Sequence, residues 1–416
     1  MSQPRNSSDH NSSDDLDSLG AAMAGAVLDP PAEMSSPISS TPPQSSTSKA
    51  RSAGKVVAAF DTAEGVGAKV LRSIGTPALW NLSPFLILDH ARVGQGAGFP
   101  DHPHRGMATV TYVLEGMMQH EDFMGNYGRL SQGDVQWMTA GRGVVHAEMP
   151  LVDPEHPMDA VALQLWLDLP AAKKMVKPSY KEKKAESLAR ATFEGGSVVV
   201  VSGESHGAVG PIRPIAGCWF LDYRLDAGGQ AWQPIPAGWT AFVYVLDGVV
   251  AVGGTAGGDE TGSKEVGSQH VCVLSASAGE EGVCLRSRSK KGSRFVLVAG
   301  EPLDQPMVLQ GPFVSTSRDG AAQALRDYQN GRNGFEKALG WRSDIGKDVG
   351  MVRRKPRRKG EEDWEERDPR EKSRRGDRRE AKYEGEAGEP AGADAKAKGG
   401  GGGRGGGRSQ RRQKLR

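Results

Sequence analysis

The seven residues 110–116, VTYVLEG, return as FVYVLDG at residues 242–248, and this pair decides the fold of the chain. Both copies are rich in β-branched and aromatic residues, which suits a strand, and both end in an acidic residue and a glycine, which suits a turn. The tyrosines at positions 112 and 244 are 132 residues apart. That spacing is typical of one β-barrel domain per copy. The repeat therefore predicts two similar barrels in tandem.

Strand-like runs fill the sequence around the repeat. They are short, apolar or alternating, and are separated by glycine, proline, asparagine and aspartate, as at residues 85–88, 110–114, 161–167, 198–201, 242–246 and 295–298. One segment, residues 320–329, has a helical period that places four residues on one face: Ala321, Ala322, Leu325 and Tyr328. We predict an all-β chain of sandwich or barrel type with domains at residues 54–185 and 186–342 and a short C-terminal helix.

The two ends of the chain differ in composition from its middle. Residues 1–50 contain 13 serines and too few apolar residues to offset the entropy of ordering, so residues 1–53 are predicted to be a disordered Ser/Pro-rich tail. Residues 343–416 are predicted to be a disordered basic tail that becomes rich in glycine and arginine. From residue 353 onward there are 22 Lys/Arg against 13 Asp/Glu, a net charge of +9. Because the whole chain carries +2, residues 1–352 carry −7, which argues against a sequence-specific nucleic-acid-binding domain.

Features that report on cellular location are few. Three cysteines, Cys218, Cys272 and Cys284, are too few for a disulfide scaffold and suit a reducing compartment. No apolar run reaches the roughly 18 residues of a membrane span, and no leader peptide is apparent. The basic clusters at residues 353–359 and 374–379 suit a nuclear import signal, with a solvated tail as the alternative. We expect an intracellular protein of nucleus and cytoplasm, without membrane attachment.

Two pairs of potential ligands mark a metal site. In a strand, residues i and i+2 point to the same face, so His102 and His104 can face inward together, and so can His146 and Glu148. Two neighbouring strands of this kind would direct three imidazoles and one carboxylate to a common point. Nitrogen and oxygen ligands without thiolate suit Fe(II), Mn(II), Ni(II), Cu(II) or catalytic Zn(II). A lone His-x-His pair would be weak evidence, and the second pair strengthens it.

The segments around these ligands resemble the pirin family of the cupin superfamily. The resemblance is carried by FLILDH at residues 85–90, HPHRG at 102–106, DVQWMTAGRG at 134–143 and HAEMP at 146–150, and it continues through AGEPL at 299–303 and QGPF at 310–313. It covers about residues 54–342. It implies two cupin-type β-barrels face to face, with one mononuclear iron in the N-terminal barrel and no metal in the second.

When the family's ligands are placed on the matching motifs, the resemblance implies the same four ligands as the i, i+2 spacing along the two strands. These are His102, His104, His146 and Glu148. Members of the family usually have a glutamate after His-Arg-Gly, where this chain has Met107, Ala108 and Thr109. We expect that difference to act on the surroundings of the metal, since the carboxylate ligand comes from the His-x-Glu pair. The repeat offset of 132 places Pro234 and Pro236 at the positions of the first His pair, which also predicts a second barrel without metal.

Several other residues are weaker candidates. His90 and His120 are most simply explained by core packing or by solvent. Asp134 suits a turn, and Gln136, Trp137 and Met138 are candidates for lining the barrel, although such residues more often belong to a core. No phosphate-binding loop, nucleophile elbow or dinucleotide motif is present.

Two functions fit these features. The first is an Fe(II)-dependent dioxygenase of quercetinase type, because the resemblance implies similarity to enzymes that cleave a flavonol ring with molecular oxygen and release carbon monoxide. Glu148 is the candidate catalytic base, and other divalent metals fit the same ligands. The second is a non-catalytic iron-binding or redox-sensing co-regulator with a transcription factor as partner, which the resemblance also implies. The width of the cavity above the metal would discriminate between them.

Overall fold

A computed structural model describes residues 49–151, 158–255 and 260–347. The predicted disordered tails lie outside the described residues, apart from residues 49–53 and 343–347. Among the described residues, no helix is both long enough and apolar enough to cross a bilayer. The three cysteines are buried and form no disulfide.

Strands dominate both halves of the chain, as predicted. The strands of the first half are β1 (Lys49–Ala50), β2 (Ala53–Ala58), β3 (Phe60–Glu64), β4 (Ala68–Ile74), β5 (Phe85–Val93), β6 (Phe99–His104), β7 (Met107–Glu115), β8 (Met117–Asp122), β9 (Tyr127–Ser131), β10 (Val135–Thr139), β11 (Val144–Pro150), β12 (Ala160–Asp168) and β13 (Ser179–Lys183). The elements of the second half are β14 (Ala189–Phe193), β15 (Gly196–Ser202), β16 (Glu204–Ser205), β17 (Ala208–Val209), β18 (Cys218–Leu225), β19 (Gln230–Pro234), β20 (Thr240–Asp247), β21 (Val249–Val252), β22 (Lys264–Gly267), β23 (His270–Leu274), β24 (Glu280–Ser287), β25 (Ser293–Gly300), β26 (Val308–Gln310), β27 (Phe313–Ser315) and α1 (Arg318–Asn330). Two short 3-10 turns are present: Ala171–Lys173 lies between β12 and β13, and Ala185–Ser187 lies between β13 and β14.

Each half closes a large sheet against a smaller one. In the first barrel the large sheet has the order β13-β10-β7-β12-β5-β4-β3, and the small sheet has the order β6-β11-β8-β9. In the second barrel the large sheet has the order β14-β15-β18-β25-β20-β23-β2, and the small sheet contains β1, β24, β21 and β22, with β19 also paired to β24. The prediction of an all-β chain with two cupin-type barrels and one short helix is confirmed.

The two large sheets pack against each other, and the repeat lies at the centre of their contact. A single buried cluster contains residues of both sheets, including Phe85 and Phe242, whose rings meet edge to face at 5.0 Å between centroids. The hydroxyl of Tyr112 donates to Asp222 across this contact at 2.8 Å, and that of Tyr244 lies 3.2 Å from His90 Nδ1.

These two contacts are related by the repeat. Adding the repeat spacing of 132 residues to Tyr112 gives Tyr244, and adding it to His90 gives Asp222. Each repeat tyrosine therefore reaches the equivalent position on the other barrel. The two barrels are related by an approximate twofold axis, which follows from packing the same sheet face twice.

The ends of the described chain cross between the barrels. Strand β2 pairs with β23 of the second barrel, and the buried guanidinium of Arg51 donates to the carbonyl oxygens of Pro236, Trp239 and Ser275. At the other end, α1 and the residues after it pack on the first barrel, where Ala324 and Phe335 join Met138 and Val144 in one cluster. The predicted domain boundaries stay a prediction. In the structure, the first strands of the described chain belong to the second barrel, and its last residues pack on the first barrel.

Helix α1 contains the predicted residues 320–329 and begins two residues earlier. The Ser317 side chain caps it by accepting a hydrogen bond from the Gly320 N–H at 3.1 Å, and Gly331 ends it in the left-handed conformation. Ala321 and Ala324 are buried and Leu325 and Tyr328 are half-buried. The apolar face is therefore close to the predicted one.

Candidate metal centre

Three histidines meet inside the first barrel. Strands β6 and β11 are antiparallel neighbours, and His102 lies directly opposite His146 in their register. Because His104 is two residues beyond His102, it points to the same face. The ring centroids are 4.4 to 5.0 Å apart, and one nitrogen of each ring lies within 4.8 Å of those of the other two. This group can hold a metal ion.

Burial makes these imidazoles suitable as ligands. His104 and His146 are 1% and 0% exposed, and loss of solvation, reinforced by the neighbouring histidines, lowers the pKa of both well below the usual 6.5. Both rings are therefore neutral at pH 7, the form that binds metals. His102 Nδ1 lies 2.8 Å from the Pro100 carbonyl oxygen, a contact that fixes the ring and leaves its Nε2 for a ligand.

The buried nitrogens support a metal on independent grounds. His104 Nδ1 and both ring nitrogens of His146 are buried and have no hydrogen-bond partner among the described residues. A buried polar atom without a partner costs about 1–3 kcal/mol. A divalent cation would satisfy one nitrogen of each of these two rings, so the residues present fit a metal.

Glu148 lies beside this group, although it is not one of the three clustered ligands. One of its carboxylate oxygens is 3.9 Å from His146 Nε2. Thr111 Oγ1 donates to Glu148 Oε1 at 2.8 Å, and Gln164 Nε2 donates to Oε2 at 3.1 Å. The carboxylate is thus held in place from the opposite sheet. Its predicted roles as fourth ligand and as catalytic base stay predictions.

Thr111 and Gln164 were not identified from the sequence. They lie opposite each other on β7 and β12, and Gln164 also donates to Thr111 Oγ1 at 3.1 Å. The repeat contained a signal for one of them, because the second copy has Val243 where the first has Thr111. A polar residue at an inward position of only one copy indicates a function in that copy.

The second barrel has apolar residues at the positions where the first barrel has a row of polar residues next to Glu148. Asp89, Gln164 and Thr111 are aligned across β5, β12 and β7, and the corresponding row across β18, β25 and β20 is Leu221, Leu297 and Val243. All three of these belong to the buried cluster of the second barrel. Among the described residues, the three histidines form the only cluster of three or more potential metal ligands.

A cavity of about 610 Å³ opens over the histidines. Its inner wall includes His102, His104, Glu148 and Gln164, and Trp166, which meets the His104 ring edge to face at 5.0 Å. Small-molecule sites commonly have volumes of about 300–1,000 Å³. The cavity therefore provides room for a drug-sized ligand next to the candidate metal centre.

An ion pair forms another part of the cavity wall. Arg72 donates to both carboxylate oxygens of Asp89, at 2.8 and 2.7 Å, and to Glu64 at 2.7 Å. Burial raises the pKa of Asp89, and Arg72 opposes that rise. The wall is thus polar and mainly acidic near Asp89.

The weaker candidates lie outside the cavity. His90 packs between the barrels. His120 is paired with Glu182 and stacks on Tyr180 at 5.7 Å, on the strand next to Glu148. Asp134 caps the turn after β9 by accepting from the Ser131 N–H, as predicted for a turn residue.

The three barrel-lining candidates serve the core. Gln136 donates to Glu182, Trp137 joins the cluster between the barrels, and Met138 packs below α1. None of the three is among the residues that line the cavity.

Ala108, which replaces the usual glutamate, faces away from the histidines. It belongs with Val110 and Tyr112 to the cluster between the barrels, whereas Thr111 faces Glu148. The expectation that this position acts on the surroundings of the metal is therefore wrong, because alternation along β7 places residue 108 on the other face.

Comparison with known proteins agrees with this architecture. The family model described as pirin matches residues 67–167, and the model described as the pirin C-terminal cupin domain matches residues 220–334. Mouse pirin is 46% identical over 289 residues, which cover 69% of this chain and 95% of the mouse protein. A pirin-like protein from Solanum lycopersicum is 43% identical and covers 71% of this chain and 97% of that protein.

Solved structures extend the comparison to the fold. A crystal structure of quercetin 2,3-dioxygenase from Acinetobacter baumannii superposes with a TM-score of 0.61 at 29% identity and covers 68% of this chain and 98% of that one. The GK1651 protein of Geobacillus kaustophilus superposes with a TM-score of 0.54 at 30% identity and covers 62% and 99% of the two chains. From two barrels, a three-histidine cluster in the first of them, and matches to both domain models, we conclude that this chain belongs to the pirin family of the cupin superfamily.

Proposed function

We propose that the protein is an Fe(II)-dependent dioxygenase of quercetinase type, which cleaves the ring of a flavonol with molecular oxygen. The observation that carries this proposal is the cavity of about 610 Å³ in whose wall His102 and His104, two of the three clustered histidines, lie. A non-catalytic redox sensor has no need of such a cavity. The structural similarity to a quercetin 2,3-dioxygenase supports the same substrate class.

The chain's own residues would act as follows. His102, His104, His146 and Glu148 would hold the iron, which when bound would lower the pKa of a substrate hydroxyl and supply the redox chemistry. Glu148 would accept the hydroxyl proton at a carboxylate oxygen. Thr111 and Gln164 would keep that carboxylate oriented, since they donate to its two oxygens. Trp166, which packs against the His104 ring, would keep water from the reacting end of the cavity.

Oxygen consumption tests the proposal. Full-length protein loaded with Fe(II) should consume oxygen and release carbon monoxide when quercetin is added. The double variant His102→Ala/His104→Ala should lose iron and fall to background in both measurements, because half of the predicted ligand set is gone. The matched control is His270→Ala, which changes a histidine at the edge of the second barrel and should leave both measurements unchanged.

Two outcomes would contradict this function. Stoichiometric iron bound through the histidines without oxygen uptake would exclude quercetinase activity and favour the regulatory alternative with a transcription-factor partner. Failure of the wild-type protein to bind any divalent metal would contradict both functions. Loading with Mn(II), Ni(II) or Co(II) in place of iron would identify which metal supports turnover.

A further inference from the structure

The outer end of the cavity contains a largely exposed indole, that of Trp80. Trp80 lines the cavity, yet 60% of its surface is exposed, more than that of any other described aromatic side chain. No aromatic ring in the described ranges contacts it closely enough to form a ring pair. A large exposed apolar side chain at a concave site is a feature of ligand-binding surfaces.

The backbone that carries Trp80 is well anchored. Gly75 N–H donates to the Leu79 carbonyl oxygen at 2.9 Å, and the Leu79 N–H donates back to Thr76 at 3.0 Å. Leu79 packs against the cluster between the barrels, and Lys55 donates to the Ala78 carbonyl oxygen at 2.5 Å. The turn that carries Trp80 is therefore fixed, and the exposure of the indole follows from the fold.

Exposure distinguishes the two ends of the cavity. His104 and Glu148 are 1% and 5% exposed, whereas Glu64 and Trp80 are 43% and 60% exposed. His104 and Glu148 thus lie at the closed end, and the indole and Glu64 lie at the exposed end. A ligand that fills the cavity from His104 to its exposed end would contact Trp80.

Charge limits which ligands the cavity can accept. Its lining contains four carboxylates, those of Glu64, Asp89, Asp101 and Glu148, and one arginine, Arg72, which is already engaged by Glu64 and Asp89. Carboxylate oxygens accept hydrogen bonds from hydroxyl groups and repel anions. The lining therefore favours an uncharged ligand with hydroxyl groups and disfavours one that carries a sulfate or carboxylate away from the metal.

We propose that Trp80 is a specificity-determining residue, whose indole stacks on the outer ring of a planar, uncharged, hydroxyl-bearing aromatic substrate while the inner ring reaches the histidines. The acidic mouth at Glu64 rejects anionic derivatives of the same ring system. This inference rests on the proposed function for its probe ligands, and it concerns binding, which is measured separately from turnover.

Equilibrium binding to the full-length Fe(II) protein without oxygen tests the inference. The probes are quercetin, naphthalene-2,3-diol and a sulfate monoester of quercetin, titrated by calorimetry. Trp80→Ala should raise the Kd of the two uncharged probes about tenfold, the size expected for loss of one aromatic contact. Trp80→Phe should restore most of the affinity, since a ring remains. In wild-type protein the sulfate ester should bind more weakly than quercetin, and Glu64→Gln should reduce that difference.

The matched control is Tyr127→Ala. Tyr127 is also an exposed aromatic residue of the first barrel, at 50%, but it lies outside the cavity and contacts Arg129. This variant should bind all probes as the wild-type protein does. With active enzyme, Trp80→Ala should raise KM and leave kcat nearly unchanged, because the indole is remote from the reacting atoms.

The outcomes separate this inference from the proposed function. If binding depends on Trp80 but the oxygen-uptake assay shows no turnover, the inference is supported and the proposed dioxygenase activity is contradicted. Equal Kd values for wild type and Trp80→Ala, or no binding by either uncharged probe, would overturn the inference. Tighter binding of the sulfate ester than of quercetin would overturn the inference that the carboxylate of Glu64 disfavours anionic ligands.

Discussion

At the scale of single residues, the candidate metal centre depends on two side chains that are not ligands. Thr111 and Gln164 hold the Glu148 carboxylate, and the equivalent positions in the second barrel are Val243 and Leu297. Thr111→Val should weaken iron binding by about tenfold or more, because it removes one donor to a predicted ligand at nearly constant volume. Competition with a chromogenic chelator would measure this. Thr111→Ser keeps the hydroxyl and is the control. Equal iron affinity in the Val variant and the wild type would show that Glu148 needs no such support.

At the scale of elements, helix α1 supports the strand that carries His102 and His104. Arg105 follows that strand directly, and its guanidinium donates to Asp327 of α1 at 2.7 Å and to the Asn333 carbonyl oxygen at 2.7 Å, while it lies 4.6 Å above the Phe335 ring. Both members of the ion pair are buried. Asp327→Asn leaves a buried guanidinium without its counter-ion and should lower the free energy of unfolding by about 3 kcal/mol. Urea denaturation would measure the loss. Asp319→Asn, an exposed change in the same helix, should cost about 0.5 kcal/mol or less, and similar losses in the two variants would contradict the role of the ion pair.

At the scale of the whole molecule, we expect acid to lower the stability of the fold through His90, which lies at the contact between the barrels. Burial, reinforced by Arg92 and Arg294, lowers the pKa of His90 to about 4. The unfolded chain has a histidine pKa of about 6.5. Between these values the unfolded state binds more protons than the folded state, so stability falls as the pH falls below about 6.5. From pH 7 to pH 5 this loss amounts to about 2 kcal/mol.

Substitution at this contact isolates the effect. His90→Gln should reduce the fall in unfolding free energy between pH 7 and pH 5 by about 2 kcal/mol relative to wild type. Tyr244→Phe removes the hydrogen bond at the same place without removing the titrating group, so it should lower stability at both pH values and keep the slope. An unchanged slope in His90→Gln would show that another group governs the acid sensitivity. Urea titrations of the metal-free proteins at the two pH values provide the comparison.

Features that depend on local period and on repetition could be predicted from the amino-acid sequence. Alternation along a strand is a local property, so the inward pair His102 and His104, together with His146, could be predicted to share one site, and the structure brings their nitrogens within 4.8 Å. The repeat predicted two barrels, and its tyrosines proved to be reciprocal contacts between them. The helical period of residues 320–329 is likewise a local property, and it predicted most of α1.

Features that depend on strand register and on contacts between distant segments could not be predicted in this way. Thr111 and Gln164 are 37 and 16 residues from Glu148, and nothing in their own neighbourhoods shows that the two sheets bring them to its carboxylate. The crossing of β2 into the second barrel, the inward or outward direction of Ala108, and the cavity with Trp80 at its mouth have the same origin. A strand's own sequence shows that its two faces differ, but which face meets which neighbour is set by sheet pairing and core packing, and these are properties of the folded molecule.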